Sequence, residues 1–342
     1  MAALANPYVA KGVAHVDLDR ALVPVLVTFV LLPKFTMLAF ASAVEPLRIA
    51  NQLTGQELFH WQVLTEDGKA MTCSNGLQVV ATGSWVNANP EGMVFVCSGV
   101  EPEGKASAAL ADWLRGLWRR GRVVGGLCTG AYALARAGIL KGRQFTLHWE
   151  NIEGFVERHA DLIPARQVFT IDDRVMTSAG GIASADLMMQ VIHNQFGAKL
   201  SQEVMNMCLL TKRRIEKDHQ TASLAARLGT RHDKLLQAVA YFEERIEEEF
   251  SLDACAARLG LSRRQIERLF HHHLGTTPVR YMNDLRLQRG RALLGETDMK
   301  VTQVAMACGY ASTSHFSKSF RKKYGVSPYR FSHFGGDGGQ EE

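Results

Sequence analysis

Leu252-Asp-Ala-Cys-Ala-Ala-Arg-Leu-Gly260, Ser262-Arg-Arg-Gln-Ile-Glu-Arg-Leu-Phe270 and Leu274-Gly-Thr-Thr-Pro278 form a unit that the chain writes a second time. The second copy reads Val301-Thr-Gln-Val-Ala-Met-Ala-Cys-Gly309, Ser312-Thr-Ser-His-Phe-Ser-Lys-Ser-Phe320 and Tyr324-Gly-Val-Ser-Pro328. Leu252 aligns with Val301 and Gly260 with Gly309. After one inserted residue, Ser262 aligns with Ser312 and Pro278 with Pro328. Each copy predicts a short helix with a central alanine (Ala256, Ala305), a glycine turn, and a serine that caps a second helix. That is the pattern of a helix-turn-helix, whose second helix can enter a major groove. Ser262 and Gln265 stand at capping-box spacing.

In the second helices, Ile266, Leu269 and Phe270, like Phe316 and Phe320, recur at helical spacing and predict a buried face. The other face carries Arg263, Arg264, Glu267 and Arg268 in one copy. In the other it carries Ser314, His315, Ser317 and Lys318. Arg, Lys, Ser and His can donate to base edges and phosphates, whereas Glu can only accept. Thr277-Pro278 reads as N-cap and first residue of a connecting helix reaching about Leu294. A rigid connector would hold both readers against one side of a duplex, one helical turn (about 34 Å) apart. An amphipathic helix with a basic solvated face explains one copy as well; two copies in register favour the reader.

This region resembles the DNA-binding domain of the AraC family of transcription regulators, over about Lys234 to Arg330. The closing Phe320-Arg-Lys-Lys-Tyr-Gly-Val-Ser-Pro-Tyr-Arg330 is the specific part of the match. The resemblance implies base contacts from Arg264, Glu267 and Arg268 in the first reader, and from Ser314, His315, Ser317 and Lys318 in the second. Arg263 and Arg321 flank these positions and complete the expected DNA-binding set.

The chain of 342 residues is long enough for two domains. Its net charge of +5 is unevenly spread. Residues 213–330 hold 21 Lys+Arg against 13 Asp+Glu, a balance of +8, and the rest holds 18 against 21, a balance of −3. The positive part is therefore the part expected to meet phosphates. The six cysteines (Cys73, Cys97, Cys128, Cys208, Cys255, Cys308) show no CxxC pair, no disulfide spacing and no metal-site spacing. They read as reduced thiols of a cytoplasmic protein. All but Cys128 read as small buried hydrophobes. His271-His-His273 reads as a solvated or phosphate-facing run rather than a metal site, and neither metal nor cofactor is expected. Ala21 to Leu32, the longest apolar run, contains Pro24 and is too short to span a bilayer.

Residues 1–20 read as a leader. Apolar strands are expected at Val25–Leu32, Trp61–Thr65, Met93–Cys97 and Arg122–Leu127, with short ones at Gly76–Ala81 and Phe145–Leu147. A hairpin is expected at Val168–Ile171 and Val175–Ser178. Helices are expected at Phe35–Leu53, Lys105–Arg119, Gly130–Ala137 and after Gly181 through Phe196. Strands alternating with helices predict an α/β open, mostly parallel sheet covered on both faces, over residues 21–198. Ligands in such sheets bind beyond the carboxyl ends of the strands. Gly99, Cys128, Thr129, His148, Trp149, Gly180 and Gly181 should therefore line one crevice. Residues 199–231 read as a linker, with an acidic helix at Tyr241–Phe250 opening the all-α domain of 232–331. Residues 332–342 read as a disordered tail.

Gly125-Gly-Leu-Cys-Thr-Gly-Ala131 has the form of a nucleophile elbow: a buried strand, a sharp turn presenting Cys128, and a helix directly after. His148 ends the next predicted strand, at the place of a base. Three readings of Cys128 stand: a pocket-lining residue, a redox-sensitive thiol, or a working nucleophile. His148 likewise reads as pocket lining or as general base. Trp149 reads as core, or as one wall of an aromatic site for a cationic ligand, with Glu45 or Glu150 as the acid beside it.

About 23–197 resembles the class I glutamine-amidotransferase-like, PfpI-type fold, which places a Cys at this elbow. Two positions depart from its hydrolytic members: Thr129 stands where they carry His directly after the Cys, and Ala39 stands where their acid is expected. Phe35-Thr-Met-Leu-Ala-Phe-Ala-Ser-Ala-Val-Glu-Pro-Leu-Arg-Ile-Ala-Asn51 and His219-Gln-Thr-Ala-Ser-Leu-Ala-Ala-Arg-Leu-Gly229 resemble regulators of glycine betaine, choline and carnitine catabolism. Regulators for arginine and related amines share the frame. The resemblance implies a non-enzymatic activator that binds double-stranded promoter DNA and acts with RNA polymerase as a homodimer. Its effector would be a small amine or quaternary-ammonium metabolite. A cysteine-dependent hydrolase or glyoxalase-like enzyme, and a thiol redox-responsive regulator, are the rival readings.

Overall fold

Strand β1 (Val25–Leu31) carries no charge, and its alternate residues enter two different cores. Val27, Phe29 and Leu31 face one and Val30 the other, which requires helices on both sides of the strand. The computed structural model describes residues 8–10, 12–18, 23–86, 88–220 and 224–334. The expected disordered tail lies mostly outside these residues. So does part of the leader, but Val16 is buried and its amide donates to Leu53 O at 2.7 Å.

After β1 come α1 (Met37–Thr54), β2 (Phe59–Thr65), β3 (Met71–Thr72), β4 (Gln78–Val79), β5 (Gly83–Ser84) and β6 (Met93–Cys97). Then follow α2 (Ala108–Arg119), β7 (Val124–Leu127), α3 (Ala131–Arg136), α4 (Ile152–Arg158), β8 (Phe169–Asp172), β9 (Val175–Ser178), α5 (Ala183–Phe196) and α6 (Ala198–Met207). Seven strands form one sheet in the order β5-β2-β1-β6-β7-β9-β8, parallel except for the β8–β9 hairpin. Helices α1, α5 and α6 cover one face and α2, α3 and α4 the other.

Phe145–Leu147 does not join this sheet. Hairpin strand β9 takes the place beside β7. Thr146 makes one isolated bridge to Ala165 and donates its hydroxyl to Ala165 O and Gln167 O. The predicted linker also divides differently. Leu200, Val204 and Met205 of α6 are buried in the first core. Beyond them, Arg214 bonds the buried Asp186 at 2.7 Å, and Gln220 donates to Thr146 Oγ1 and Leu147 O. The boundary between the two compact units accordingly falls between Gln220 and Thr221.

The second unit contains α7 (Leu224–Leu228), α8 (Asp233–Glu244), α9 (Leu252–Leu259), α10 (Arg263–Leu274), α11 (Pro278–Glu296), α12 (Val301–Ala307), α13 (Thr313–Tyr324) and α14 (Pro328–Phe334). The acidic run thought to be helical to Phe250 leaves the helix after Glu244. Its apolar residues Leu235, Ala238, Val239 and Phe242 set the helix earlier, where they can be buried. Two cores result, one under α8–α10 and one under α12–α14. Helix α11 serves both, giving Met282 to the first and Leu287, Leu293 and Leu294 to the second.

Candidate DNA interface and ligand crevice

Helices α10 and α13 are built alike. Each has twelve residues, a serine N-cap whose side chain accepts from the third backbone amide, and a glycine C-cap. Ser262 and Gln265 complete the predicted capping box, with Ser262 N donating to Gln265 Oε1 at 2.7 Å. Ile266 and Phe270 are fully buried, as are Phe316 and Phe320. The opposite face is solvent-exposed at Arg263, Arg264, Glu267 and Arg268, and at Ser314, His315, Lys318 and Arg321, while Ser317 is half-buried. Arg263 is already engaged: its guanidinium bonds Glu267 at 3.1 Å and lies 3.9 Å from Asp253. Arg264 and Arg268 make no ion pair among the described residues. The His273 ring, from the run after them, lies 4.7 Å edge-on from that of His272 and 5.1 Å, tilted, from that of His232; among the described residues no group of His, Cys, Asp and Glu could hold a metal.

In the first unit, the carboxyl ends of β1, β6, β7 and β9 converge on Cys128. Its φ of +60° is the strained conformation of an elbow. Cys128 N donates to Ser178 O at 3.0 Å, and Thr129 Oγ1 donates to Gly99 O at 2.7 Å. Gly180, at φ +83°, is where α5 approaches: a Cβ there would lie 2.6 Å from the Cys128 Cβ. Only glycine fits so close an approach. Cys128 is 6 % exposed and shares a hydrogen bond of 3.6 Å with the Thr36 hydroxyl. Burial pushes its thiol above the ordinary cysteine value; the Thr36 hydroxyl and the Thr129 amide pull the other way, and Glu150 adds to the rise.

His148 donates its backbone amide to Cys128 O at 3.2 Å, and its Nδ1 lies 3.9 Å from Glu150. Among the described residues its ring makes no hydrogen bond to the thiol. Burial holds the imidazole below its usual value, with Glu150 opposing. Trp149 is not core: it is 52 % exposed, beginning a single 3-10 turn with its ring 5.5 Å from that of His148. Gly99 is buried, and Gly181 lies beside Leu38, itself 55 % exposed. Glu45 is not part of this constellation. It sits more than two turns into α1 and bonds Arg48 at 2.7 Å on the outer surface.

The helix-turn-helix domain family matches residues 255–333, and the DJ-1/PfpI family matches residues 29–194. The HTH-type transcriptional regulator GbdR of Pseudomonas aeruginosa is 41 % identical over 305 residues, 89 % of this chain and 83 % of the relative. The regulator CdhR of the same species is 41 % identical over 300 residues, 88 % of this chain and 89 % of the relative. A crystal structure of an AraC family transcriptional regulator from Pseudomonas putida superposes with a TM-score of 0.51 at 29 % identity, covering 54 % of this chain and all of that one.

The chain belongs to the HTH-type transcriptional regulators that carry a DJ-1/PfpI domain ahead of an AraC-type helix-turn-helix domain. In this regulator Ala39 is a buried alanine where the resemblance places an acid, and Thr129 donates its hydroxyl to Gly99 O. The sequence reading missed Thr36, the side chain hydrogen-bonded to the thiol. Its signal was available, since Thr36 directly precedes α1 and follows the end of β1, where parallel strands present their sites. Leu38 and Ile182, exposed apolar residues at the starts of α1 and α5, were also missed. No helix of the described residues is long and apolar enough to cross a membrane.

Proposed function

We propose that this regulator binds promoter DNA through the exposed faces of α10 and α13, and that a small amine or quaternary-ammonium metabolite in the Cys128 crevice controls that binding. The observation that carries the reading is the division within each reader helix: Ile266 and Phe270, like Phe316 and Phe320, are fully buried, and the opposite side exposes Arg264 and Arg268 in one helix and Lys318 and Arg321 in the other. Arg264 and Arg268 have donors to offer bases, whereas Arg263 supports Glu267. Ser314, His315, Ser317, Lys318 and Arg321 form the second reading face. In the crevice, an exposed Trp149 beside Glu150 suits a cation, which gains both from an aromatic face and from a carboxylate. A thiol held neutral by burial, with no ring hydrogen-bonded to it, suits a wall of that pocket rather than a nucleophile. The regulator works in the cytoplasm as a homodimeric activator with RNA polymerase, and it performs no catalysis.

The test is a gel shift on a duplex that the protein itself enriches from a random pool, with and without glycine betaine, dimethylglycine, carnitine and arginine. One of these should change the affinity, and Cys128→Ala should leave binding without effector intact. Arg268→Ala should weaken the enriched duplex by about 1–3 kcal/mol. No enrichment of any sequence, or an Arg268→Ala affinity equal to wild type, contradicts the assignment.

A further inference from the structure

The two helix-turn-helix units are joined by more than a helix. On α11, Arg286 is half-buried and reaches backward to the loop between α8 and α9. Its Nε donates to Ile246 O at 3.0 Å and a terminal nitrogen donates to Glu248 O at 2.5 Å. The same guanidinium lies under the turn of the second unit. A Cβ on Gly309 would sit 2.6 Å from an Arg286 terminal nitrogen and 2.6 Å from Ile246 O. One side chain thus touches the loop of the first unit and the turn of the second. Gly309, at φ +71°, meets both requirements of the junction, a left-handed backbone and no side chain.

The neighbouring turns of α11 hold the same joint. Tyr310, next to Gly309, donates its hydroxyl to Asn283 Oδ1 at 2.5 Å. Lys323, near the end of α13, bonds the Asp284 carboxylate at 2.6 Å. Gly290 lets the Phe316 ring of α13 close on α11, since a Cβ there would lie 2.7 Å from that ring.

We propose that Arg286 is the positioning residue that fixes the orientation of the two reader helices, and therefore the spacing between the two DNA segments they read. The proposal rests on the DNA-binding reading above. A planar guanidinium donating in two directions fixes a geometry that a single ammonium cannot. The carbonyls of Ile246 and Glu248 depend on it, and charged donors make the stronger hydrogen bonds. Arg286 reaches no base in this role. Its loss should blur the distance between the two readers while leaving each reader's sequence preference in place.

The experiment uses the full chain and a duplex that the wild type enriches from a random pool. Derivatives carry one base pair more or fewer between the two recognised segments, or one substituted pair within a segment. One base pair turns a segment by about a tenth of a helical turn, so wild type should lose about tenfold or more. Arg286→Met should bind all spacings within about threefold of one another, with each substituted pair penalised as in wild type. Arg286→Lys should fall between. If Arg286→Met proves unfolded by circular dichroism, Tyr310→Phe, which removes the hydroxyl bonded to Asn283, should still flatten the spacing profile. A spacing preference in Arg286→Met as sharp as in wild type overturns the proposal, as does a wild type indifferent to spacing. A wild type that enriches no sequence overturns the DNA-binding reading itself.

Discussion

At the scale of the residue, His148 decides how the crevice answers to pH. Burial depresses its pKa against the opposing pull of Glu150, so near neutrality the ring is uncharged and the carboxylate stands alone. The unfolded chain takes up this proton at about pH 6.5, the folded chain only at lower pH. Stability from this group is therefore complete above about pH 6.5 and is lost as pH falls from there toward the folded value. Denaturant midpoints measured between pH 7.5 and 5 should drop further for wild type than for His148→Gln; parallel curves would contradict the burial argument. The elbow at Cys128 was legible in the sequence because Gly125-Gly126-Leu127 can only be a covered strand and Gly130 admits a close helix. The exposure of Trp149 was not legible, because a tryptophan between a histidine and a glutamate carries no periodicity to assign it a face. Glu45 was misplaced for a related reason. It was placed beside Trp149 from the sequence alone, whereas α1 carries it more than two turns along its axis from the helix start at Met37.

At the scale of the element, the reader helices are held by their aromatic sides. Phe316 is fully buried, 5.2 Å from the Tyr310 ring, and seated on the Gly290 gap. Phe316→Ala should cost about 3–5 kcal/mol in a urea titration of the full chain, followed by a probe in the second unit. A midpoint unchanged from wild type would mean that α13 is not anchored by this face. Capped helices were the best-read elements. Ser262, Thr277 and Ser312 each accept from a backbone amide three residues on, and such local chemistry is written in a few adjacent positions. Phe145–Leu147 misled because its apolar residues are buried without being paired in the sheet. Which strand lies beside β7 is a long-range choice, settled by the β8–β9 hairpin that follows.

At the scale of the whole molecule, the chain separates into a DJ-1/PfpI-type unit and a helix-turn-helix unit. The division was legible in charge, +8 over residues 213–330 against −3 elsewhere, and in the repeat. Its position was not. Arg214, Glu216 and Gln220 look like a solvated run, yet they bond Asp186, Ile171 N and Leu147 O. Polar partners of this kind lie far apart in the chain and leave no local pattern. The stretch leading toward the second unit is thereby fastened to the start of α5 and to the residue before His148, the two elements that flank Cys128.

The central claim is that α10 and α13 read one duplex together. Hydroxyl-radical footprinting of the full chain on its enriched duplex tests it most directly. The account predicts two protected segments on one face of the DNA, about one helical turn apart, the first weakened by Arg268→Ala and the second by Lys318→Ala. A single protected segment, or protection that neither substitution alters, would contradict it.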